Sequence, residues 1–323
     1  MPLFTPYTEA ISAINKFQQS GIPYIFILDF SKTHGFCSAL QELNSEQILY
    51  HIGITEPRPL PFPLDFRINP MTRPEYKNQF DHVMNEIQEG NTYLTNLTVS
   101  TPIICNLDLL QLYQYSSAKY KLWIRDEFTV FSPECFIRIK NNEIFTYPMK
   151  GTLPADQPDA ENILREDTKE DAEHYTIIDL LRNDLNMVSN QVQVSKFKQI
   201  ERIQTHKGPL LQMSSEIKGK IKDPFKSNFG NLLDLLLPAG SITGAPKKST
   251  VEIIQRYEKH QRGFYTGIFG VGNGDELESA VMIRYIEKKG NQLIFKSGGG
   301  ITSDSDLNIE YQEFINKVYV PIF

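Results

Sequence analysis

Hydrophobic and polar positions follow two different periods along the first third of the chain. Apolar residues recur at helical spacing in "TEAISAINKFQQ", and a second helix is predicted over "RPEYKNQFDHVMNEIQEGN", where Gly90 closes it. Short apolar runs typical of strands stand at "YIFILDF", "QILYHIGI" and "TYLTNLTVS". Between them lies the proline-rich stretch "TEPRPLPFPLDFRINPMTRP", which is predicted to be a loop and a boundary.

Strand patterns dominate the rest of the chain. They appear at "KLWIRD", "FTVFSPECFIRIKNNEIFTYPM", "QVQVSKFKQIERI", "RGFYTGIFGVG" and "ESAVMIRYIEKKGNQLIFKSGGG". Helices are predicted over residues 169–185, 246–261 and 306–317. Hairpin-like strand pairs outnumber strand–helix–strand alternations. The pattern therefore predicts an α+β fold with antiparallel sheets rather than a doubly wound parallel sheet.

Composition narrows the classes of function. The 323 residues are 40% hydrophobic and 22% charged, with a net charge of -6, so there is no basic footprint for nucleic acid or anionic membranes. The first residues lack a signal-peptide pattern, and no apolar run has the length of a membrane span. Three cysteines without CxxC spacing favour a reducing compartment over a disulfide framework or a zinc site. We therefore expect a cytoplasmic protein.

The last helical segment, "SDLNIEYQEFINKVYV", combines two stripes. Its apolar stripe consists of Leu307, Tyr311, Phe314 and Val318. Glu310, Glu313 and Lys317 share a neighbouring face by the same helical period. These three residues either decorate an exposed helix, where a Glu313–Lys317 pair contributes only about a few tenths of a kcal/mol, or they serve a site.

An earlier segment, "TKEDAEHYTIIDLLRNDL", shows a similar oddity. Thr168 and Asp171 resemble a capping box, and Glu173 begins a stripe that continues as Ile177, Leu180 and Asp184. A carboxylate on a half-apolar stripe requires something positive opposite it. Two glutamates on separate helices could share a hard cation such as Mg²⁺, which usually takes one or two carboxylates. The alternative is a pair of unrelated surface acids.

Two glycine-rich turns are candidates for binding an anion. Gly240, Ser241, Thr243 and Gly244 precede Pro246, a suitable first helical residue, and free amides at a helix start favour an anion. Gly298–Gly300 ends a strand and permits a tight backbone cradle for a carboxylate. The GxxxxGK[ST] spacing of a nucleotide phosphate loop is absent.

Lys150 stands in "TYPMKGTLP", at the end of a run that otherwise reads as a buried strand. It is either a solvated turn residue or a lysine held in a pocket, where desolvation lowers its pKa and makes the neutral amine a nucleophile. The pattern alone favours the solvated alternative, since most lysines lie at the surface.

Seven sequence blocks resemble, in their order, those of the chorismate-utilising enzymes. The blocks are "SPECFIRI", "PMKGTLP", "AEHYTIIDLLRNDL", "LLPAGSITGAPKKSTVEII", "RGFYTGIFG", "VMIRY" and "SGGGITSDSDLNIEYQEFINK". That family includes anthranilate synthase component I, aminodeoxychorismate synthase component I, and the isochorismate and salicylate synthases. The resemblance implies a two-sheet antiparallel sandwich with helices outside. It also implies a chorismate-binding catalytic region over 73–323, with residues 1–72 as a shortened N-terminal portion packed on the same fold.

The residue at position 150 indicates a branch of this family. The corresponding segment resembles "PIAGT" in anthranilate synthases and "PIKGT" in aminodeoxychorismate synthases, and here it is "PMKGT". The resemblance therefore implies that Lys150 is a covalent nucleophile and that Glu134 of "SPECF" is the general acid. The implied reaction is an amino-group transfer that converts chorismate and ammonia to 4-amino-4-deoxychorismate for para-aminobenzoate and folate synthesis. Anthranilate synthase, an isochorismate-type synthase and a non-catalytic paralogue remain as alternatives.

The resemblance also implies a set of binding residues and a partner. Mg²⁺ would be held by Glu173 and Glu313, with Glu310 next. The substrate-binding residues would be Thr152, Thr243, Gly244, Tyr265, Arg284, Gly299, Gly300 and Lys317. Cys37 lacks the glycine-flanked turn of a glutaminase nucleophile, so ammonia is expected from a separate glutamine amidotransferase subunit. Gln212, which stands where many relatives have histidine, and Tyr285 in "IRY" depart from the family pattern.

Overall fold

The computed structural model describes residues 3–53, 55–56, 58–166, 168–205 and 208–322. Within these ranges, side chains are not described at 150–152, 166, 168–173, 203–205, 208 and 210. No helix in the described part of the chain is both long enough and apolar enough to cross a membrane.

The described residues form eight α-helices, and the first two of them coincide with the first two predicted helices. They are α1 (Tyr7–Gln19), α2 (Arg73–Gln88), α3 (Leu109–Tyr115), α4 (Ala160–Glu166), α5 (Thr168–Val188), α6 (Phe229–Leu236), α7 (Lys247–Tyr257) and α8 (Leu307–Asn316). Short 3-10 turns lie at Leu40–Glu42, Asp223–Phe225 and Gly240–Ile242. A capping box at Thr72 and Glu75 starts α2, and Gly90, with φ of 79°, follows its end as predicted.

Eighteen strands are described, and they make up two sheets. They are β1 (Thr5–Pro6), β2 (Tyr24–Leu28), β3 (His34–Ala39), β4 (Ile48–Ile52), β5 (Phe66–Ile68), β6 (Leu94–Cys105), β7 (Tyr120–Ile124), β8 (Phe128–Ser132), β9 (Cys135–Lys140), β10 (Glu143–Thr146), β11 (Met149–Pro154), β12 (Ser189–Thr205), β13 (Gly208–Ile221), β14 (Gly244–Ala245), β15 (Ile268–Asn273), β16 (Glu276–Val281), β17 (Tyr285–Lys289) and β18 (Gln292–Ile301).

All the pairings between these strands are antiparallel. The first sheet runs β1-β3-β2-β15-β16-β9-β10-β13-β11, and β12 also pairs with β13. The second runs β14-β6-β18-β17-β8-β7-β4, and β5 also pairs with β6. The predicted α+β fold with two antiparallel sheets is therefore confirmed.

The central core lies between the two sheets. Ile27 and Phe269 of the first sheet meet Leu122, Val130 and Tyr285 of the second in one buried cluster. Helices α1, α5 and α6 cover the outer face of the first sheet, while α2, α7 and α8 pack over β6 and β18 of the second. This is a sandwich with helices outside, and burial of its alternating apolar positions is the main stabilising contribution.

Several local features differ from the sequence expectation. The strands β1, β3, β5, β13 and β14 and the helices α3, α4 and α6 were not predicted, and α7 ends at Tyr257 rather than at residue 261. Cys37 lies inside β3 opposite Phe26. The short strand β5 arises within the proline-rich stretch because Phe66–Ile68 finds backbone partners in β6. The unpredicted strands depend on pairing with distant strands, which local periodicity does not report.

The segment 1–72 contributes to both sheets. Its first three strands lie at one end of the first sheet, where β2 pairs with β15. Its fourth and fifth strands belong to the second sheet, where they pair with β7 and β6. The same backbone ladders therefore join this segment to strands of the segment 73–323.

Candidate active site

A cavity of about 310 Å³ collects residues from both sheets and from α8. Its lining includes the predicted site residues Glu134, Gly244, Tyr265, Arg284, Gly299, Gly300, Glu313 and Lys317. A wider concavity of about 440 Å³ lies beside α4 and contains none of the predicted site residues. We take the smaller cavity as the candidate active site because charged and polar groups converge on it.

Glu134 lies where the chain crosses from β8 of the second sheet to β9 of the first. Its backbone N–H donates to Ser132 Oγ at 3.1 Å, and its Oε1 accepts from Ser241 Oγ at 2.7 Å. Burial raises the pKa of the Glu134 carboxyl, although the Ser241 hydrogen bond and the charges of Arg284 and Lys317 oppose this shift. The environment therefore favours a protonated carboxyl that can donate a proton.

Arg284 stands at the turn between β16 and β17 with a left-handed φ of 53°. Its guanidinium lies 4.8 Å from the centre of the Tyr319 ring, and Nη1 lies 3.5 Å from the Lys317 carbonyl oxygen. Tyr265 is buried nearby, and burial raises the pKa of its hydroxyl, so it remains a neutral phenol. This wall of the cavity is suited to binding a carboxylate through cationic and hydroxyl donors.

The glycines at the end of β18 face the charged side of α8. A Cβ at Gly299 would stand 3.5 Å from Glu313 Oε1, 3.6 Å from Glu310 Oε2 and 3.6 Å from Lys317 Nζ. Lys317 Nζ also donates to the Gly298 carbonyl oxygen at 3.0 Å and pairs with Glu313 Oε1 at 2.5 Å. The Glu313–Lys317 ion pair that a surface helix would show is therefore present. Both residues nevertheless line the cavity, so this face of α8 is part of the candidate site.

Two carboxylates, from Glu310 and Glu313, therefore converge on Gly299. Glu310 is buried, and its Oε1 accepts from Ser305 Oγ at 2.8 Å, which leaves Oε2 on the Gly299 side. Carboxylate oxygens are the ligands that Mg²⁺ prefers, so this donor set fits the expected ion. Among the described side chains, no group of three His, Cys, Asp or Glu residues forms a metal-sized cluster. Glu173, which with Glu313 is a primary predicted ligand, lies on α5, and its side chain is outside the described part.

Gly244 and Thr243 both lie in the turn that precedes α7, but only Gly244 lines the cavity. Gly244 lines the cavity with φ of +129°, and a Cβ there would stand 1.9 Å from the Leu94 carbonyl oxygen, so only glycine fits. Thr243 is fully buried, and its hydroxyl donates to the Ala239 carbonyl oxygen at 2.7 Å. Its side chain is therefore used within the turn and does not line the cavity, contrary to the sequence expectation.

The segment "PMKGT" is a strand rather than a turn or a strand end. Lys150 pairs with Met213 and Thr152 with Gln212 between β11 and β13, with an irregular register between the two pairs. Such irregularities are frequent next to active sites, where they redirect side chains. The neighbouring Met149 lines the cavity, and its sulfur lies 2.6 Å from Gln212 Nε2. The side chains of Lys150 and Thr152 lie outside the described part, so their predicted roles stay predictions.

Several residues of the cavity wall were not among the predicted site residues. They are Leu94, Asn96, Met149, Thr176, Ile177, Ile242, Ile283, Lys296, Ser297 and Thr302. Ser241 and Gly298 also line the cavity, and they belong to the two glycine-rich turns that were predicted to bind an anion. Ser241 is the most informative, because its hydroxyl contacts Glu134 directly. Its position in "GSITG" offered a signal, but nothing local links it to a carboxyl over a hundred residues earlier. Lys296 is held in place by Glu287 Oε2, 2.9 Å from its Nζ.

The fold and this cavity define a chorismate-binding enzyme. The model of the chorismate binding enzyme family matches residues 24–322, and the chain belongs to that family. The match begins within the segment 1–72, earlier than the sequence blocks that carry the resemblance.

Individual relatives extend this result. The chain is 48% identical over 317 residues to an uncharacterised PabA-like protein of Haemophilus influenzae, covering 97% of this chain and 96% of the relative. It is 32% identical over 266 residues to aminodeoxychorismate synthase component 1 of Escherichia coli, covering 77% of this chain and 57% of that protein. Its fold is similar to that of MenF, the menaquinone-specific isochorismate synthase of Escherichia coli, with a TM-score of 0.73, 17% identity and coverage of 97% and 81%.

Proposed function

We propose that this protein is the synthase component of an aminodeoxychorismate synthase, which converts chorismate and ammonia to 4-amino-4-deoxychorismate. The observation that carries the proposal is the partly buried Glu134 carboxyl, with its raised pKa, in a cavity that Met149, the residue before Lys150, also lines. Lysine at position 150 distinguishes this branch from the anthranilate branch. Relatives of comparable identity include both aminodeoxychorismate and anthranilate synthase components, so the choice of branch rests on the lysine at position 150.

Glu134 supplies the acid that the first step requires. Hydroxide is a poor leaving group, so the C4 oxygen of chorismate must be protonated as its bond to carbon breaks. The neutral amine of Lys150 adds at C2, the ring double bonds shift, and the C4 oxygen leaves as water with the proton of Glu134. The product of this step is a covalent adduct on the lysine.

Ammonia completes the reaction by the reverse shift. It adds at C4, the double bonds return, and the bond between C2 and the lysine nitrogen breaks. The lysine leaves as a neutral amine, and one proton of the added ammonia passes to the Glu134 carboxylate, which restores the acid. The enolpyruvyl ether is not touched, so the product keeps it and stays non-aromatic.

The cationic and acidic walls hold the substrate in this scheme. Arg284, Lys317 and the hydroxyl of Tyr265 bind carboxylates, and the amides of Gly299 and Gly300 assist. Glu310 and Glu313, together with Glu173, would hold Mg²⁺, which when bound supplies positive charge for the ring carboxylate. A separate glutamine amidotransferase subunit would supply ammonia.

Product analysis tests the proposal. Purified protein is incubated with chorismate, Mg²⁺ and an ammonium salt, and the products are separated and identified by mass. We expect 4-amino-4-deoxychorismate. Anthranilate or isochorismate as the main product would reassign the enzyme to another branch, and no consumption of chorismate would favour a non-catalytic paralogue.

A further inference from the structure

The hydrogen bond between Ser241 and Glu134 decides which carboxyl oxygen carries the proton. Ser241 Oγ donates to Glu134 Oε1 at 2.7 Å, so Oε1 acts as an acceptor. The proton of the neutral carboxyl then resides on Oε2. A general acid must present its proton to the leaving oxygen in a fixed direction, so the position of Ser241 affects the rate of the chemical step.

Ser241 is carried by the 3-10 turn Gly240–Ile242, which is tied down at both ends. At its far end, the Ile242 carbonyl oxygen accepts from Arg262 Nη1 at 2.8 Å and from Asn96 Nδ2 at 3.0 Å. At its near end, the Asp184 carboxylate lies against the Gly240 backbone. Asp184 Oδ2 stands 2.8 Å from where a Cβ of residue 240 would lie, so this close approach requires glycine.

Asp184 is in turn held by Lys247. The Lys247 Nζ lies 2.8 Å from Asp184 Oδ1 and also donates to the Leu236 carbonyl oxygen at 2.8 Å. The two side chains are only 10% and 20% exposed. Asp184 belongs to α5, and Lys247 is the first residue of α7, so the pair joins two helices beside the turn.

A buried ion pair of this kind is poorly explained by stability alone. The desolvation of two charges offsets much of their attraction, and apolar residues of similar volume often stabilise a fold equally well. What the pair adds is a carboxylate fixed against the Gly240 backbone. Asp184 lies in "LLRNDL" and Lys247 in "GAPKKS". The proposed catalytic scheme assigns no role to either residue.

We propose that the buried Asp184–Lys247 ion pair is a positioning device, which holds the turn Gly240–Ile242 so that Ser241 donates to Glu134. The inference rests on the proposed function, because it takes Glu134 as the general acid. Ser241, Asp184 and Lys247 are positioning residues in this scheme, and none of them replaces Glu134.

A double-mutant cycle on turnover tests the proposal. Lys247→Met and Ser241→Ala are made singly and together, and kcat and KM are measured from chorismate consumption. Each single variant should lower kcat by about tenfold with little change in KM, since the pair affects the chemical step. The double variant should fall no further than the single ones, because both changes remove the same hydrogen bond. Independent, multiplicative losses, or an unchanged kcat in folded Lys247→Met, would overturn the proposal.

Lys218→Met provides a matched control for the loss of a lysine ion pair. Lys218 of β13 pairs with Glu143 of β10 at 3.1 Å, and neither residue takes part in the hydrogen bonds that hold the turn Gly240–Ile242. Its kcat should equal that of the wild type, and a comparable loss there would count against the assignment. If Lys247→Met does not fold, the unpaired charge of Asp184 is the cause to remove. The double variant Asp184→Asn/Lys247→Met then replaces Lys247→Met in the cycle. Failure of both to fold would overturn the proposal in favour of a role in the fold.

Crystal structures separate this inference from the proposed function. The double-mutant cycle is measured from chorismate consumption, which does not depend on which product forms. A different product would therefore overturn the proposed function but not the positioning role. If the wild type consumes no chorismate, the distance from Ser241 Oγ to Glu134 Oε1 decides. It should lengthen beyond hydrogen-bonding range in Lys247→Met and stay unchanged in Lys218→Met. An unchanged distance in Lys247→Met would overturn the inference.

Discussion

At the scale of single residues, the environment of Glu134 determines its chemistry. The carboxyl lies at the crossing between the two sheets, with its desolvation opposed by Ser241, Arg284 and Lys317. Since burial is the dominant effect, the folded protein retains the proton at a pH where an exposed glutamate has lost it. This property suits an acid catalyst and opposes stability, because an ionised carboxyl is costly there.

Replacing Glu134 by glutamine is expected to abolish turnover and raise stability at neutral pH. The pKa of Glu134 is higher in the folded than in the unfolded state, so the free energy of unfolding falls as pH rises between the two values. Glutamine does not ionise and avoids this fall. The Tm of Glu134→Gln should therefore exceed that of the wild type above this range, and the two should converge in acid. The exposed Glu276→Gln serves as control, and an equal Tm at every pH would contradict the burial argument.

Replacing Lys150 by alanine is expected to remove the covalent step. An unperturbed lysine with pKa near 10.4 is almost wholly charged at pH 7, so a nucleophilic Lys150 requires a depressed pKa in its pocket. Lys150→Ala should lose most formation of 4-amino-4-deoxychorismate while chorismate binding, measured by calorimetry, is largely kept.

Mass spectrometry of the wild type with chorismate and Mg²⁺, without ammonia, should show an adduct on the peptide that contains Lys150. The half-exposed Lys140→Ala is the control and should behave as the wild type. Near-normal rates in Lys150→Ala, or an adduct on another peptide, would remove the main support for this branch.

At the scale of elements, α8 shows how one helix serves both core and site. Tyr311 and Phe314 pack against Tyr76 of α2, with ring centres 5.6 Å and 5.2 Å from it. The adjacent face presents Glu313 and Lys317 to the glycines of β18. Because the apolar face anchors the helix, the acidic face is held rigidly beside the cavity.

Replacing Glu313 by glutamine is expected to weaken dependence on Mg²⁺ without unfolding the chain. The change removes one of the two carboxylates near Gly299. The Mg²⁺ concentration that gives half-maximal activity should therefore rise by about tenfold or more. The rise in Tm that Mg²⁺ produces should shrink in parallel, which gives a readout independent of activity. The exposed Asp304→Asn is the control. Unchanged Mg²⁺ dependence in both Glu313→Gln and Glu173→Gln would disprove the metal assignment.

Replacing Gly244 by alanine is expected to disrupt the pairing of β14 with β6. The new Cβ would stand 1.9 Å from the Leu94 carbonyl oxygen, in a backbone with φ of +129°. Gly274→Ala is the control, because its φ of +58° is also left-handed but its surroundings are open. Denaturant unfolding should show Gly244→Ala to be less stable than Gly274→Ala by about 2 kcal/mol or more. Equal losses would mean that the backbone shifts at little cost.

At the scale of the whole molecule, the cavity lies where the two sheets and α8 meet. Glu134 joins the sheets, Arg284 joins β16 of the first sheet to β17 of the second, and Gly299 faces α8. A site assembled in this way depends on the sandwich as a unit. The three cysteines of the described chain, Cys37, Cys105 and Cys135, all lie within strands.

The purified chain is expected to use ammonium salts but not glutamine as its nitrogen source. Chorismate consumption and product mass are measured with each source in turn, and then with an added glutamine amidotransferase subunit, which should confer use of glutamine. Turnover driven by glutamine with the chain alone would refute the need for a partner.

Local patterns were sufficient for much of the fold and for part of the site. The helices α1, α2, α5 and α8 follow from apolar residues at helical spacing, and Gly90 ends α2 because it tolerates a positive φ. The shared face of Glu310, Glu313 and Lys317 follows from the same period. Each of these features depends on residues within a few positions of one another, so the sequence alone determines it.

Tertiary structure decided what depends on distant partners. The segment around Lys150 became a strand because β13 supplied its backbone hydrogen bonds, and Thr243 turned inward because the Ala239 carbonyl oxygen accepts its hydroxyl. The contact of Ser241 with Glu134 and the pair of Asp184 with Lys247 link segments far apart in the chain. Hydrogen bonds and ion pairs act over only a few ångströms, so such contacts exist only once the two sheets and their helices have packed.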